Sequence, residues 1–436
     1  MSKQKSNKTI EQLQKVLTQY AQEANEWAHF SERRSALTEE RFVQTLVLGW
    51  LRQKGASLNQ LAHYAKDLGI QITGAALQER INQKAVMLLA GVLNGVLQHL
   101  PGIHTLPLKQ LAQFQGIYIT DSTQIALPQA LAPVFKGNKD NSMLKLQVAW
   151  DYLQGHVVAL ELEAGKSPDQ NCHLPVSLAQ AGSLQLFDLG YFKQEYLRDI
   201  AGQGAFFVSR YQAQTALYSV ESTLPFALVP WLKTCRSIQA ECALLVGERV
   251  KLPVRLLVRR LPSKAAQARR RQAKKKARKQ GKTCSASYLY LLGWDIMLTN
   301  LPVEEWSLLL VFDLYSIRFQ IEWLFRCWKD GLGVATLGNW HVERVLCQLY
   351  AHLLGAILTH LLTAAWRWRE VEYSLLKTIQ IIQAAVPDWM RCLRHAGWGF
   401  ATWFNRLEED FQAFGRKTQR RKSPSTTQIL YNWGLS

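Results

Sequence analysis

The stretch GIYITDST, Gly116–Thr123, marks a change of period in the chain. Upstream, FVQTLVLGWL (42–51) and AVMLLAGVLNGVLQHL (85–100) space their apolar residues as helices do, and no alternating pattern precedes residue 108. GIYITDST alternates, and reads as a short strand ending in Asp121 and two hydroxyls. MLKLQVAWDYLQGHVVALELEAG (143–165) alternates on either side of Gln154-Gly155, which predicts a hairpin. SPDQNCHLPVSLAQAG (167–182) then predicts a helix and SLQLFDLGYF (183–192) a strand ending at Asp188. KQEYLRDIAGQ (193–203) suits another helix and GAFFVSRY (204–211) another strand. The order is β-β-β-α-β-α-β, with a carboxylate inside or at the end of the first and fourth strands.

That is the strand order of ribonuclease H-like domains, so the expected class is α/β: an RNase H-like mixed-sheet catalytic core between helical regions. Roughly 90 residues separate GAFFVSRY from the next core element, more than a loop needs. RVKLPVRLLVRRLP (249–262) and SASYLYLLGWDIMLTN (285–300) read as strands of a β-rich insertion. The insertion holds KAAQARRRQAKKKARKQGK, Lys264–Lys282, with ten Lys or Arg and no acid. Its dense centre, Arg269, Arg270, Arg271, Lys274, Lys275 and Lys276, predicts a phosphate-contacting arm, poorly ordered without a polyanion because like charges repel. The expected division is 1–108 helical N-terminal DNA-binding domain, 109–212 first part of the core, 213–302 insertion with the arm at 264–282, 303–369 second part of the core, and 370–436 helical C-terminal region and candidate dimerisation surface. Within the first segment, SLNQLAHYAKDLGIQITGAALQERI (57–81) has Ser57 and Thr73 as caps and Gly69 as a turn, a pattern resembling a helix-turn-helix and also common in ordinary α-domains.

The segment after the insertion, DLYSIRFQIEWLFRCWKDGLG (Asp313–Gly333), reads as one helix. Arg318, Glu322 and Lys329 follow Tyr315 by 3, 7 and 14 residues. At about 100° per residue these four side chains fall within an arc of roughly 60°. Ile317, Ile321, Leu324, Phe325 and Trp328 form the buried stripe beside it. An i,i+4 pair between Arg318 and Glu322 explains two of the four polar residues, but not a phenol and an ammonium in phase with them.

Composition narrows the partner. The 436 residues are 48% hydrophobic and carry 52 Lys+Arg against 33 Asp+Glu, a net charge of +19. That excess favours a polyanion, with nucleic acid ahead of an anionic membrane. Seven cysteines without a C-x-x-C pair predict reduced, mostly buried thiols rather than zinc or disulfides. The polar start MSKQKSNKTIEQLQ is no signal peptide, and LLGAILTHLLTAAW (353–366) reads as a core helix too short to span a bilayer. The expectation is a soluble, cytoplasmic, nucleoid-associated protein with no membrane partner.

Asp121, Asp188 and Glu322 stand where an RNase H-like sheet gathers three carboxylates, and hard oxygen ligands suit Mg²⁺, two ions about 4 Å apart. With these residues the chain resembles the DDE transposases of bacterial insertion sequences, in the group named for its Tyr-x2-Arg-x3-Glu-x6-Lys signature (the insertion sequence four family and its relatives). The signature is complete over Tyr315, Arg318, Glu322 and Lys329. ITDST is similar to the first carboxylate motif and FDLGYF to the second, with Leu189 where Arg is often found. The insertion and GWDIMLTNLP at its end also fit, and the resemblance runs from about residue 40 to 345.

The resemblance implies a transposase that binds terminal inverted repeats, cuts by metal-dependent hydrolysis and joins DNA by strand transfer, paired as a homodimer on double-stranded end and target DNA. It implies Asp121, Asp188 and Glu322 as catalytic metal ligands for two Mg²⁺, with Mn²⁺ as a substitute. Tyr315, Arg318 and Lys329 then hold phosphates, and Trp294 takes the place of the tryptophan that stacks a flipped base in some relatives. Two other readings stay open: an RNase H-like nuclease without strand transfer, and a domesticated or inactive transposase that only binds DNA.

Overall fold

The computed structural model describes residues 3–31, 37–99, 111–137, 141–222, 224–338, 341–364, 373–395, 399–418, 428–429 and 433. The chain forms two compact units. A helical unit comprises Met1–Ala112, Ser122–Ser167 and Ile321–Ser423; a sheet unit comprises Gln113–Asp121, Pro168–Gln320 and Pro424–Ser436. Among the described residues the strands are β1 (Ile117–Ala126), β2 (Met143–Asp151), β3 (His156–Ala164), β4 (Leu184–Phe187), β5 (Phe206–Arg210), β6 (Leu217–Ser219), β7 (Gln239–Val246), β8 (Leu252–Arg260) and β9 (Trp294–Thr299). The expected strand order is present, but β1 runs on past Asp121 to Ala126, so that carboxylate lies within the strand. The helix expected over 167–182 contracts to single turns at Asp169–Asn171 and Leu174–Ser177, with Pro175 at its start.

In the sheet unit the order is β1-β4-β5-β9-β8-β7-β6. β1, β4 and β5 run parallel, and β9, β8, β7 and β6 continue antiparallel. The insertion is therefore an extension of the core sheet. Its seam is the β5–β9 pair, where Val208 faces Thr299. The Thr299 hydroxyl donates to the Phe207 carbonyl at 2.7 Å, and Asn300 accepts from the Phe207 amide and donates to the Ala205 carbonyl, each at 2.8 Å. Buried Leu184, Leu186, Phe207, Val208 and Leu298 fill the middle of the sheet.

Two expectations about the insertion fail. SASYLYLL is helical over Ala286–Leu291, because the Ser285 hydroxyl caps it by accepting from the Tyr288 amide at 3.1 Å. The basic run is an α-helix, Ser263–Lys279, rather than a disordered arm. Five alanines among Arg, Lys and Gln are strong helix formers, and Lys276, Arg278 and Lys279 in the last turn complement the helix dipole.

The helical unit packs Glu39–Arg52, Gln83–His99 and Leu375–Arg394 around Val342–Ala364, with Phe400–Phe414 against Leu375–Arg394 and the β2–β3 hairpin against Val342–Ala364 through β3. By length and composition Val342–Thr363 suffices to cross a membrane, which corrects the expectation that this run is too short; 89% of its apolar window is buried inside the protein, as a core helix requires. The expected continuation of this helix past Ala364 and most of the basic tail at 415–425 lie outside the described residues. The turn motif is as read from sequence. Ser57 and Gln60 form a capping box, Gly69 turns the chain at φ 79°, and Thr73 caps Gly74–Arg80.

The Asp313–Gly333 segment is not one α-helix. Leu308–Ser316 tightens to a 3₁₀ turn at Ile317–Phe319, resumes over Gln320–Arg326 and widens to a π turn at Cys327–Gly331. The expected apolar stripe is buried throughout. Tyr315 and Arg318 are buried, Lys329 is half-buried and Glu322 exposed. A tight turn and a wide turn each break the 100° phase on which the single arc rests.

His352, on the Val342–Ala364 helix, lies with its ring 5.9 Å from that of Trp50 and bonds the Leu332 backbone; burial lowers its pKa to about 4. Unfolded, it protonates near 6.5, so its contribution is intact above that pH and is lost as pH falls towards 4. From pH 7 to 5 this loss is about 2 kcal/mol. Urea unfolding of His352→Gln should show a smaller fall over that interval by this amount, while His156, also lowered to about 4 by burial, keeps its share. An unchanged pH dependence would contradict the assignment.

Candidate active site

The sheet unit builds its cluster by register. Ile117 pairs with Leu184 and Thr120 with Phe187; one residue further, Asp121 stands beside Asp188. Leu184 pairs with Phe206 and Leu186 with Val208; two residues further, Asp188 stands beside Arg210. Asp188 keeps an extended backbone, φ −78° and ψ 166°, as this continuation requires. Neighbouring strands are about 4.8 Å apart, so Asp121, Asp188 and Arg210 stand at adjacent positions at the carboxyl end of the paired stretch, Asp121 being midway along β1. That end of a parallel sheet is where ligands bind in open α/β folds.

The 308–319 segment closes over this row. Arg318 Nη1 lies 3.0 Å from Asp121 Oδ2, with the Arg318 side chain 5% exposed and that of Asp121 17%. The Tyr315 hydroxyl donates to the Phe187 carbonyl at 3.3 Å, on the residue before Asp188. Burial pushes the Tyr315 phenol up to about 12; Arg318 and Arg210 pull against that shift, while Asp188 and Asp121 add to it. The phenol is thus a fixed neutral donor. The Arg210 guanidinium lies 5.8 Å from the Tyr315 ring, and that of Arg318 lies 4.5 Å from the Phe319 ring.

Of the residues singled out from sequence, the sheet unit brings together Asp121, Asp188, Tyr315 and Arg318. Within that unit's described residues no third His, Cys, Asp or Glu joins the two carboxylates to make a group of three. Glu322, in the first turn of Gln320–Arg326, and Lys329, in the π turn, belong to the helical unit. Burial lowers the pKa of Lys329, and neighbouring Asp330 opposes the shift. Sequence reading missed Arg210. Its signal was present: Asp121, Asp188 and Arg210 each stand four residues after the first residue of their strand.

Two oxygen donors side by side, partly open to solvent, fit a hard divalent cation, which would relieve the repulsion that Arg318 now offsets at Asp121. Trp294, at the start of β9, is 5% exposed and lies under the Arg260 guanidinium, 4.7 Å from its ring centre.

The basic helix has two faces. Ala266 is buried, and Arg269, Arg270, Ala273 and Ala277 are half-buried at helical spacing along one side. Arg269 pairs with Asp295 at 2.8 Å, Arg259 reaches the same carboxylate at 3.3 Å, and Arg270 Nε donates to the Leu289 carbonyl at 2.8 Å. Arg269 and Arg270 therefore anchor the helix to its own sheet. Arg271, Lys274, Lys275, Lys276, Arg278 and Lys279 are exposed on the rest of its surface.

Residues 112–357 match the family model described as the transposase DDE domain. The chain is similar to the transposase for insertion sequence element IS231E of Bacillus thuringiensis subsp. finitimus, 24% identical over 419 residues that cover 88% of this chain and 87% of the relative. It is also similar to the transposase for insertion sequence element IS1151 of Clostridium perfringens, 23% identical over 353 residues, 76% of this chain and 75% of the relative. Among solved structures, a piggyBac transposase synaptic complex with hairpin DNA aligns at TM-score 0.46 and 9% identity, over 96% of this chain and 87% of that one.

The two faces of the basic helix predict different defects. Changing the six exposed basic residues to Gln should flatten the dependence of duplex DNA binding on salt, by about 0.9 in log–log slope for each phosphate no longer neutralised. Helicity by circular dichroism should stay unchanged. Arg269→Ala should instead loosen the helix. An unaltered salt slope in the sixfold variant would exclude the exposed face from DNA binding.

Proposed function

The chain belongs to the transposase DDE domain family, a DNA-cleaving and strand-transferring class of enzyme, and from that premise we propose a cut-and-paste DNA transposase that acts on the terminal inverted repeats of its own element. The observation that carries the reading is the side-by-side placement of Asp121 and Asp188, with Arg318 on the first and Tyr315 against the strand of the second. The strand order β1-β4-β5, parallel throughout, supports an RNase H-like core.

In this reading Asp121, Asp188 and Glu322 hold divalent cations, two Mg²⁺ with Mn²⁺ as a substitute. When bound, the metal would supply Lewis-acid activation of the attacking oxygen and charge stabilisation at the departing 3′ oxygen. The chain's own residues do the rest. Arg318, paired to Asp121 without DNA, presents a planar fork suited to a phosphate's oxygens and exchanges one anion for another. Tyr315 keeps its proton at neutral pH and its ring is held by burial, so it acts as a rigid boundary and donor. Arg210 and Lys329 add positive charge at the scissile strand. No side chain is needed as a nucleophile: water, then the freed 3′-hydroxyl, attacks phosphorus.

Residues 1–108 would grip the end DNA through the capped helices at 57–81, and the exposed face of the 263–279 helix would follow the phosphate backbone. Trp294 can stack a flipped base once Arg260 swings off its ring. Residues 370–436 would pair two copies into a homodimer, because two ends must be joined; the setting is the nucleoid.

Glu322→Gln keeps size and removes charge. With end DNA and Mg²⁺ it should abolish cleavage while leaving end binding within a few-fold. Tyr315→Phe and Lys329→Ala should slow cleavage and weaken strand transfer, since a displacement of about 1 Å costs roughly a hundredfold in rate. Normal cleavage by Glu322→Gln would overturn the carboxylate assignment.

A further inference from the structure

Lys329 reaches its place through a π turn, and the helical unit holds that turn and its exit from two helices and the end of a third. The wide turn closes with the Leu332 amide on the Cys327 carbonyl at 3.1 Å and the Val334 amide on the Trp328 carbonyl at 3.0 Å. Carbonyls beyond these leave the regular helical ladder and must be met from elsewhere. Lys54, just past the Glu39–Arg52 helix, donates to the Asp330 carbonyl at 2.8 Å. Gln383, on Leu375–Arg394, donates to the Gly331 carbonyl at 3.2 Å, and Gln348, on Val342–Ala364, donates to the Thr336 carbonyl at 3.1 Å. The exit is at Gly333, φ 74°, whose missing Cβ would lie 2.4 Å from Lys54 Cβ. A side chain there is excluded twice, by conformation and by close approach.

At the centre, Trp328 Nε1 donates to His360 Nε2 at 2.8 Å, with both residues no more than 5% exposed. Leu or Phe at 360 would fill an apolar core without the cost of burying an imidazole. What His360 adds is an acceptor that fixes the rotation of the indole ring, and with it the backbone of the residue that precedes Lys329. Lys329 is half-buried, so its stem has less rotamer freedom to correct a shifted backbone than an exposed lysine has.

We infer that the Trp328–His360 hydrogen bond is a positioning device for the site: it sets the phase of the π turn and so the place at which Lys329 meets DNA. His360 is a positioning residue that acts through Trp328. The inference rests on the assignment of Lys329 and Glu322 to the active site.

The test compares His360→Leu, which removes the acceptor, with His360→Gln, which returns one at similar reach, and Trp328→Phe, which removes the donor and keeps a ring. Full-length protein is assayed for cleavage rate on end DNA, for end-DNA affinity and for thermal melting. His360→Leu and Trp328→Phe should each cut roughly a hundredfold slower. Affinity should stay within about twofold, and the double variant should be no slower than either single one. His360→Gln should recover most of the rate. Equal rates for the Leu and Gln variants, or rates that follow melting temperature alone, would overturn the inference. Failure of the underlying assignment looks different: Lys329→Ala and Glu322→Gln would then cleave normally, whatever the His360 variants do.

Discussion

Two carboxylates held one strand spacing apart repel each other, and the candidate site is organised around that repulsion. Asp121 and Asp188 are brought together by the β1–β4 register, which buried Ile117, Ile119, Leu184 and Leu186 enforce. A one-residue slip would turn every one of those apolar residues to the wrong face. Arg318 answers the charge on Asp121 directly, and Arg210 stands next in the row beside Asp188. The cluster is therefore close to neutral without a ligand and rich in groups that bind either a cation or a phosphate. The buried phenol of Tyr315 adds a donor that does not titrate in the working range.

The same sheet explains how the insertion is carried. Its strands continue from β5 through β9, so the helix from Ser263 to Lys279 is mounted on the sheet that carries the carboxylates. Arg269 and Arg270 are used up in that mounting, through Asp295 and the Leu289 carbonyl. A run of ten basic residues is thus two populations. The half-buried ones serve the fold, and the exposed ones form a preformed cationic surface that loses little conformational entropy on meeting a polyanion.

Much of this was legible in the sequence. Alternation located the strands of the core, and the capping residues at 57–81 sit where the pattern placed them. The Tyr, Arg and carboxylate positions that share the sheet unit were all singled out. What periodicity could not show was a change of helix type. Ile317–Phe319 and Cys327–Gly331 keep an apolar stripe that suits one α-helix, because short 3₁₀ and π turns shift phase without changing which residues are buried. The helix at 263–279 was obscured by charge: repulsion among ten cations suggested disorder, and the groups that anchor it, Asp295 and the Leu289 carbonyl, lie outside the run on other elements. Arg210 was missed because strand register, on which its place depends, is a property of three segments at once.

The proposal that matters most is that Asp121, Asp188 and Glu322 serve one divalent-metal site. It can be tested without any substitution by replacing Mg²⁺ with Fe²⁺ in the complex with end DNA, adding ascorbate and peroxide, and mapping where the polypeptide is cut by radicals formed at the metal. Cuts are expected at three places only, beside Asp121, beside Asp188 and beside Glu322, all suppressed together by excess Mg²⁺. Cuts beside the two aspartates with none near Glu322, or cuts elsewhere in the chain, would contradict it.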